Sequence, residues 1–439
     1  MQKLYRFDLR EAVTRMREGS LTAAALMRAC LARCVEFEPK ILAWQHIDHE
    51  RAMALAEAAD AARAGGKASG TLHGVPLGIK DIIDVAGMPT TMGSPIYAGN
   101  IARETARCVQ KLEQAGAIII GKTVATEFAY YTPGKTRNPW NAAHTPGGSS
   151  SGSAAAVACG MVPGALGTQT NGSVIRPAAF CGVVGFKPSY GVVSNHGTLD
   201  PWPTLDHTGV LVRSVADAAW LASIIAEPAN PLTAEIKPLA AAPHLVAVRT
   251  PVWHLADPAQ QQMLANNVGV LRAAGAQVEE IALPASFADA HQTLRTIMAY
   301  EGAQFFRDLQ QRSRGRIGPE LNALLDDGAA ITEASYRAAL DARTSLQREF
   351  AQFMSGIDAV ISPPAPGEAP ATLTQTGNPA FCSIWSLLGV PAVSIPVGLG
   401  PHGLPLGLQV AGAFRADDAT LAAAAWCEAR LPFRSAVSE

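Results

Sequence analysis

The most informative part of the sequence is a pair of short blocks that contain glycine and serine, Pro146-Gly-Gly-Ser-Ser-Ser-Gly152 and Thr170-Asn-Gly-Ser-Val-Ile-Arg-Pro177. Glycines allow turns that other residues adopt poorly, and serines in such turns are most often loop residues or helix caps. Working outward, the upstream run Gly74-Val-Pro-Leu-Gly-Ile-Lys-Asp81 is apolar until it reaches Lys80. This run predicts a buried strand that brings a lysine to the serine turns.

Lys80, Ser149 and Ser173 together indicate the chemistry of a Ser-Ser-Lys hydrolase. A nucleophilic serine needs a base, and a lysine can serve once burial or neighbouring charges lower its pKa toward neutrality. The alternative is an exposed lysine at a strand end, paired with Asp81 or Asp84. The apolar residues before Lys80 favour the buried interpretation.

The spacing of apolar runs predicts an α/β fold. Through residues 71–215, short apolar strands alternate with helical stretches, which is typical of a mostly parallel sheet. Residues 1–66 are rich in helix-forming residues and predict a helical preface, with Asp8 and Thr22 as N-caps. Residues 285–355 are again strongly helical in composition.

The serine blocks resemble those of the amidase signature family, in which a Gly-Gly-Ser-Ser block precedes a Gly-Gly-Ser-Ile-Arg-type block and then Gly-Leu-Lys-Pro. The corresponding segments here are 147–152, 172–177 and 185–188, and other matched blocks lie between about residues 74 and 412. The resemblance implies one large α/β domain over residues 1–439, with a central mixed, mostly parallel, twisted sheet flanked by helices. Residues 71–215 would form its signature core, and 285–355 would shape the substrate pocket.

Carried over position by position, the resemblance makes Ser173 the nucleophile, Lys80 the base and Ser149 the bridge between them. In the family the bridging serine follows a cis peptide bond. The expected oxyanion hole is the turn formed by Thr170, Asn171, Gly172 and Ser173. The residues expected to support the site from behind are Gln169, Arg176, Glu127 and Ser150.

Three positions differ from the sequence that is most common in the family. Gln169 replaces a frequent aspartate, Asn171 replaces a glycine, and Arg176 lies three rather than two residues beyond Ser173. Asparagine tolerates left-handed backbone, so the same turn remains accessible. Gln169 would have to support the turn through neutral hydrogen bonds. For Arg176, a role in pinning carbonyls and a role in contacting substrate both stay open.

Two pattern matches suggest other chemistries. Gly116–Thr123 has Walker A spacing, but its β-branched centre predicts a buried strand and not a phosphate loop. Gly148–Gly152 fits G-x-S-x-G, which would make Ser150 the nucleophile. That elbow needs a strand directly before it, whereas residues 137–146 form a proline-containing loop.

The composition of the chain indicates which partners it could bind and in which cellular compartment it resides. A net charge of -2 without a basic run argues against nucleic acid, and ten dispersed histidines give no metal motif. We expect neither a metal nor a cofactor. Seven cysteines without framework spacing suggest free thiols. With no signal peptide and no apolar stretch of ~18 residues, the sequence predicts a cytoplasmic protein without a membrane segment.

The leading functional hypothesis is a serine-dependent hydrolase of C–N bonds in small amides, with carbamates and esters open to the same chemistry. One alternative is the glutamine-hydrolysing subunit of a tRNA-dependent amidotransferase, and another is a catalytically silent scaffold subunit. A homodimer is compatible with the sequence. The aromatic candidates for the substrate pocket are Tyr130, Tyr131, Trp202, Tyr300, Phe381 and Trp385.

Overall fold

One 11-stranded sheet, in the order β1-β3-β2-β4-β6-β5-β10-β11-β9-β7-β8, forms the centre of the molecule. The structure is a computed structural model that describes residues 3–68, 70–433 and 437. The strands are β1 Trp44–Ile47, β2 Pro76–Lys80, β3 Ile118–Thr123, β4 Gly164–Gln169, β5 Val184–Lys187, β6 His207–Val212, β7 His244–Arg249, β8 Gln277–Ala282, β9 Ala359–Ser362, β10 Ala392–Leu399 and β11 Pro405–Ala411. The α/β fold with a mixed sheet flanked by helices is therefore confirmed.

The expectation that this sheet is mostly parallel needs correction. Six of its strand pairings in the described chain are antiparallel. Only β2 with β3 and β4, and β7 with β8 and β9, are parallel. The antiparallel strand β6 runs between β4 and β5, so the sheet changes direction beside β4, the strand that leads into the second serine block.

Helices cover the two faces of the sheet. They are α1 Leu9–Arg17, α2 Ala23–Ile41, α3 His49–Ala64, α4 Arg107–Gln114, α5 Ser151–Ala158, α6 Ile175–Cys181, α7 Val215–Ile225, α8 Pro258–Ala273, α9 Ala290–Phe305, α10 Arg307–Ser313, α11 Pro319–Ala330, α12 Glu333–Phe353, α13 Ala380–Leu388 and α14 Asp417–Glu428. No helix in the described ranges is long and apolar enough to cross a membrane.

The N-terminal region is helical but also contributes to the sheet. Asp8 and Thr22 cap α1 and α2 as predicted, because their side chains accept from the backbone N–H groups of Glu11 and Ala25. The correction to the helical preface is β1, which pairs antiparallel with β3. The ring of Trp44 in β1 lies against Gly78 in β2, where an added Cβ would meet it at 3.1 Å. The preface therefore packs behind the strand that ends at Lys80.

The Walker A match is a buried strand, as its β-branched residues predict. Residues Ile118–Thr123 form β3, and Lys122 is buried within 3.5 Å of Asp81. The Lys122 ammonium also donates to the carbonyl of Pro89 and the hydroxyl of Thr90. Its donors are directed at protein oxygens, so this segment has no phosphate loop.

The predicted helical region 285–355 is confirmed as α9 to α12, and it has an apolar core of its own. That core joins α9, α11 and α12 to α13 through buried residues such as Leu294, Leu325, Phe350 and Trp385. Helix α9 packs closely against α11, α12 and α13. Met298 of α9 lines the same cleft as Ser173, so this helical layer lies beside the turn between the end of β4 and the start of α6, where the second serine block is.

Candidate active site

Lys80 is the last residue of β2 and is fully buried. Its ammonium nitrogen Nζ lies 2.6 Å from Ser149 Oγ and 2.6 Å from Thr168 Oγ1. Burial lowers the pKa of Lys80 from 10.5 to about 7, although the charge of Asp206 acts to raise it. A large fraction of this lysine is therefore uncharged at neutral pH, as a general base requires.

The exposed strand-end interpretation of Lys80 is wrong. Asp81 is buried, and it accepts hydrogen bonds from the backbone N–H and the hydroxyl of Thr91. Its ion-pair partner in the described chain is Lys122, at 3.5 Å. Asp81 therefore does not compete with Ser149 for the Lys80 side chain.

Ser149 lies in a turn just before α5. The peptide bond between Gly148 and Ser149 is cis, as the family resemblance implies. Gly147 has φ of +82°, and a Cβ there would meet Pro177 at 2.8 Å. Glycine is needed at this position both for its backbone angle and for the close approach of α6.

Ser173 lies in the turn between the end of β4 and the start of α6. Among the hydrogen bonds of the described residues, none uses the backbone N–H of Asn171, Gly172 or Ser173. These donors are available to an oxygen in the cleft, as an oxyanion hole requires. The Thr170 hydroxyl instead donates to Asp206 and fixes the beginning of the turn.

Gln169 supports the nucleophile turn through neutral hydrogen bonds. Its side-chain oxygen accepts from the backbone N–H of Val174 at 2.8 Å and of Ile175 at 3.0 Å. Its amide nitrogen donates to Ser386 Oγ at 3.0 Å. Because the first N–H groups of a helix have no partner within it, Gln169 caps α6 from outside and orients the residues after Ser173.

Ser149 and Ser173 both line one cleft, but no hydrogen bond joins their hydroxyls in the described structure. The hydrogen-bonded contact from Lys80 thus extends as far as Ser149. Catalytic hydrogen bonds are often long in a free enzyme and shorten when substrate binds.

Arg176 ties the catalytic turn to the rim of the cleft. Its Nη2 donates to the carbonyl of Gly148 at 2.7 Å, and its Nη1 donates to that of Gly377 at 2.8 Å. Burial lowers the pKa of Arg176. The guanidinium therefore pins carbonyls beside Ser149, while another part of it lines the cleft.

Ser150 and Glu127 lie outside the cleft. The Ser150 hydroxyl contacts the backbone of Thr168, and the backbone N–H of Ser150 donates to the carbonyl of Ser173. Glu127 accepts from Ser94 Oγ at 2.8 Å and from the backbone N–H of Gly318 at 2.7 Å. Ser150 therefore braces the two serine turns, and Glu127 joins the start of α11 to the core.

The inner chamber is the cleft that contains Ser173, and it comprises about 300 Å³ of space, part of it open to solvent. The predicted residues that line it are Tyr130, Tyr131, Ser149, Thr170, Asn171, Gly172, Ser173 and Arg176. Ala129, Met298 and Pro379 complete the lining. Arg176 is the one charged side chain among these lining residues.

Four of the six aromatic candidates do not line the chamber, which corrects those predictions. Trp202 is buried behind Tyr130 and donates its indole N–H to the carbonyl of Met298. Tyr300 stacks on Tyr336, with ring centroids 4.2 Å apart. The other two, Phe381 and Trp385, are buried on α13. These side chains fill the helical layer and do not reach the cleft.

Sequence reasoning missed three residues of the site. Thr168 gives Lys80 its second hydrogen bond, and Asp206 is the acidic group that raises the pKa of Lys80 when it is ionised, while burial raises the pKa of Asp206 itself. Met298 reaches the cleft from α9. The block containing Asp206 is visible in the sequence, but no pattern marks Thr168 or Met298, because only tertiary packing brings them to the site.

In the described ranges, no group of three histidine, cysteine, aspartate or glutamate side chains is arranged to hold a metal ion. The groups that surround Ser173 are instead hydroxyls, backbone N–H groups and a buried amine. These groups can move protons and stabilise a developing negative charge.

Comparisons with known proteins agree with this geometry. The amidase family model matches residues 25–421. A glutamyl-tRNA(Gln) amidotransferase subunit from Chloroflexus aggregans (strain MD-66 / DSM 9485) is 35% identical over 468 residues, which covers 96% of this chain and 95% of the relative. A solved structure described as an amidase has a TM-score of 0.88 and 34% identity, with 97% and 100% of the two chains covered. The native peptide amidase from Stenotrophomonas maltophilia has a TM-score of 0.83 and 29% identity, with 98% of each chain covered.

The fold and the site define the class of this protein, an enzyme that hydrolyses carbon–nitrogen bonds. More narrowly, the chain belongs to the amidase signature family.

Proposed function

We propose that this chain is a stand-alone hydrolase of C–N bonds in small amides, acting through an acyl-enzyme on Ser173. Carbamates and esters present the same kind of carbonyl carbon to the nucleophile. The observation that carries the proposal is the contact of 2.6 Å between Lys80 Nζ and Ser149 Oγ, in a buried setting next to the cleft of Ser173. A lysine with a pKa of about 7 can accept a proton at neutral pH.

The reaction begins when Ser173 Oγ attacks the carbonyl carbon. The Ser173 proton passes to Ser149, whose own proton passes to uncharged Lys80. Ser149 then protonates the departing nitrogen and regains a proton from Lys80. Water later attacks the acyl-enzyme, and its proton follows the same path.

Charge on the carbonyl oxygen is stabilised by the free N–H groups of the turn from Asn171 to Ser173. The Gln169 carboxamide keeps those donors in place by capping the helix that follows. Removing a single oxyanion donor costs about 3 kcal/mol in other hydrolases. The anchored turn therefore supports a catalytic role for this site over that of a silent scaffold.

The second candidate function is the glutamine-hydrolysing subunit of a tRNA-dependent amidotransferase. It is favoured by the relative that is 35% identical and is named as part of such an amidotransferase. The lining of the inner chamber suits only part of free glutamine, because Arg176 could pair with its α-carboxylate but no carboxylate lines this chamber to pair with its α-ammonium group. A buried ammonium group without an acidic partner is costly.

Activity of the purified chain in the absence of any partner separates the two candidates. A stand-alone hydrolase should turn over simple aliphatic and aryl amides at a higher kcat/KM than glutamine, and Ser173→Ala should abolish that turnover. Ser335→Ala, on the exposed start of α12, is the matched control and should retain it. Glutamine as the only hydrolysed amide, or amide turnover in Ser173→Ala, would refute the proposal.

The proposal also covers the partners, the oligomeric state and the cellular compartment of the enzyme. We infer a small-molecule substrate, no nucleic-acid partner and cytoplasmic residence, with a homodimer still compatible. The net charge of -2 supports the second point. All seven cysteines are buried, unpaired thiols, which supports a reducing compartment.

A further inference from the structure

A second space adjoins the inner chamber. This outer chamber comprises about 570 Å³ of space, part of it open to solvent, and its own walls include His291, Leu294, Arg295 and Leu324. Five residues, Tyr130, Tyr131, Asn171, Met298 and Pro379, line both spaces, and we call this shared lining the neck. A substrate that extends from one space into the other would contact these residues.

Two tyrosine rings form one wall of the neck, and their positions are fixed. The rings of Tyr130 and Tyr131 meet edge to face, with centroids 4.7 Å apart. Tyr130 also packs on Trp202, at 6.0 Å. Trp202 donates to the carbonyl of Met298 at 2.8 Å, so one buried indole supports both sides of the neck.

The backbone before the tyrosines is also constrained. Phe128 and Ala129 have φ of 48° and 59°, in the left-handed region that non-glycine residues seldom adopt. The N–H of Glu127 donates to the carbonyl of Thr132 at 3.1 Å, which closes the loop that contains both tyrosines. Left-handed residues of this kind persist where the surrounding structure enforces them.

The chemistry of the neck suits a flat group. Two aromatic rings, a thioether and a proline offer dispersion and ring contacts. Part of the Asn171 side chain is already engaged, since Ser383 donates to Asn171 Oδ1 at 2.7 Å. Among the described residues, no charged side chain lines both spaces, whereas Arg176 lines the inner chamber and Arg295 lines the outer one.

The position of Ser173 decides which end of the substrate lies in the neck. The scissile carbonyl must lie in the inner chamber, where Ser173 and the free N–H donors are. The amine departs first, while the acyl group stays bonded to Ser173. We therefore assign the group bonded to the amide nitrogen to the neck, on the side of the outer chamber.

We propose that the substrate is an N-aryl amide whose ring occupies the neck, an inference that rests on the proposed function. In the first step the bond from Ser173 Oγ to carbon forms and the C–N bond breaks. The nitrogen leaves as an arylamine with a proton from Ser149. Water then cleaves the acyl-enzyme to release the carboxylic acid and restore Ser173.

The test compares 4-nitroacetanilide with acetamide, which has the same acyl group and no ring. The readout is the ratio of their kcat/KM values in each variant relative to wild type, because intrinsic leaving-group reactivity cancels in that comparison. Tyr131→Leu should lower the ratio by about 3- to 10-fold, the usual worth of an aromatic contact. Tyr131→Phe, which keeps the ring, should retain the wild-type ratio.

Tyr300→Leu is the matched control, because that tyrosine stacks on Tyr336 outside both chambers. Met298→Ala provides a second variant of the neck should Tyr131→Leu fail to fold, and it should also lower the ratio. An unchanged ratio in the neck variants, or an equal fall for N-cyclohexylacetamide, would overturn the aryl assignment while Ser173-dependent amide turnover still stands. If the purified wild-type enzyme hydrolysed no amide at all, that result would instead refute the proposed function.

Discussion

At the scale of single residues, the protonation of Lys80 is the property on which the chemistry depends. An exposed lysine would be almost fully charged at neutral pH, whereas burial brings the pKa of Lys80 to about 7. The contact with Thr168 orients the amine, and the contact with Ser149 gives it a proton to accept. Burial and two short contacts thus support the proposed role of Lys80 as the base.

The pH dependence of turnover follows from this assignment. Since the uncharged form of Lys80 is the active one, kcat/KM should rise with pH through a single acid limb centred near pH 7. Lys80→Met should lose most activity together with that limb. Lys67→Met, outside any helix or strand and exposed, is the matched control and should leave the profile unchanged. A wild-type rate that is flat or falling across neutral pH would contradict the role of Lys80 as a neutral base.

At the scale of elements, the junction between β4 and α6 positions Ser173, the proposed nucleophile. Gln169 ends β4 and caps α6, so one side chain joins the strand to the helix across the turn of Ser173. Loss of a helix cap typically costs about 1 kcal/mol.

We therefore expect Gln169→Ala to lower the free energy of unfolding by about 1–2 kcal/mol, since it removes the acceptor for two buried N–H groups. It should also lower kcat, because the oxyanion donors precede the capped helix. Urea unfolding and steady-state kinetics measure the two effects. Gln262→Ala, on the exposed face of α8, is the control. Wild-type kcat in Gln169→Ala would show that the cap does not position the turn.

The sequence predicts elements best where the local pattern is strong. The β-branched run of β3 and the capped helices α1 and α2 were predictable from their own residues. Strand β4, Gly164–Gln169, was missed because its two glycines and few β-branched residues give a weak signal, and pairing with β2 and β6 compensates. Strand β1 was missed because it has four residues and lies between two long helices.

The residues of the site also divide into those that a local sequence pattern predicts and those that only tertiary packing brings together. Lys80, Ser149 and Ser173 lie in recognisable blocks, so their convergence was predictable from motif order. The neck was only partly predictable, because Met298 and Pro379 come from remote parts of the chain and bear no motif. Packing also decided that Trp202 supports the neck from behind and does not line it.

At the scale of the whole molecule, the sheet connects the N-terminal region to the active site. Strand β1 pairs with β3, which pairs with the strand that ends at Lys80. Trp44 is buried over Gly78, two residues before Lys80. One sheet includes strands from Trp44 to Ala411, and the organisation of residues 1–439 as a single domain stays a prediction.

Trp44→Ala should therefore lower both stability and activity. Removing a buried tryptophan typically costs about 3–5 kcal/mol through lost burial and the cavity left behind. Here the cavity would lie against β2 and loosen the position of Lys80. Urea unfolding should show the loss, and kcat should fall at temperatures where the variant is still folded. Val35→Ala, exposed on α2, should change neither quantity. A Trp44→Ala variant with wild-type unfolding free energy would show that β1 is dispensable.

The central claim is that Ser173 attacks the substrate with help from Ser149 and Lys80. Peptide mapping by mass spectrometry after reaction with an alkylsulfonyl fluoride tests it most directly. We predict a single adduct on Ser173 in the wild type, and strongly slowed labelling in Lys80→Met. An adduct on Ser150, or unchanged labelling of Ser173 without Lys80, would contradict the account.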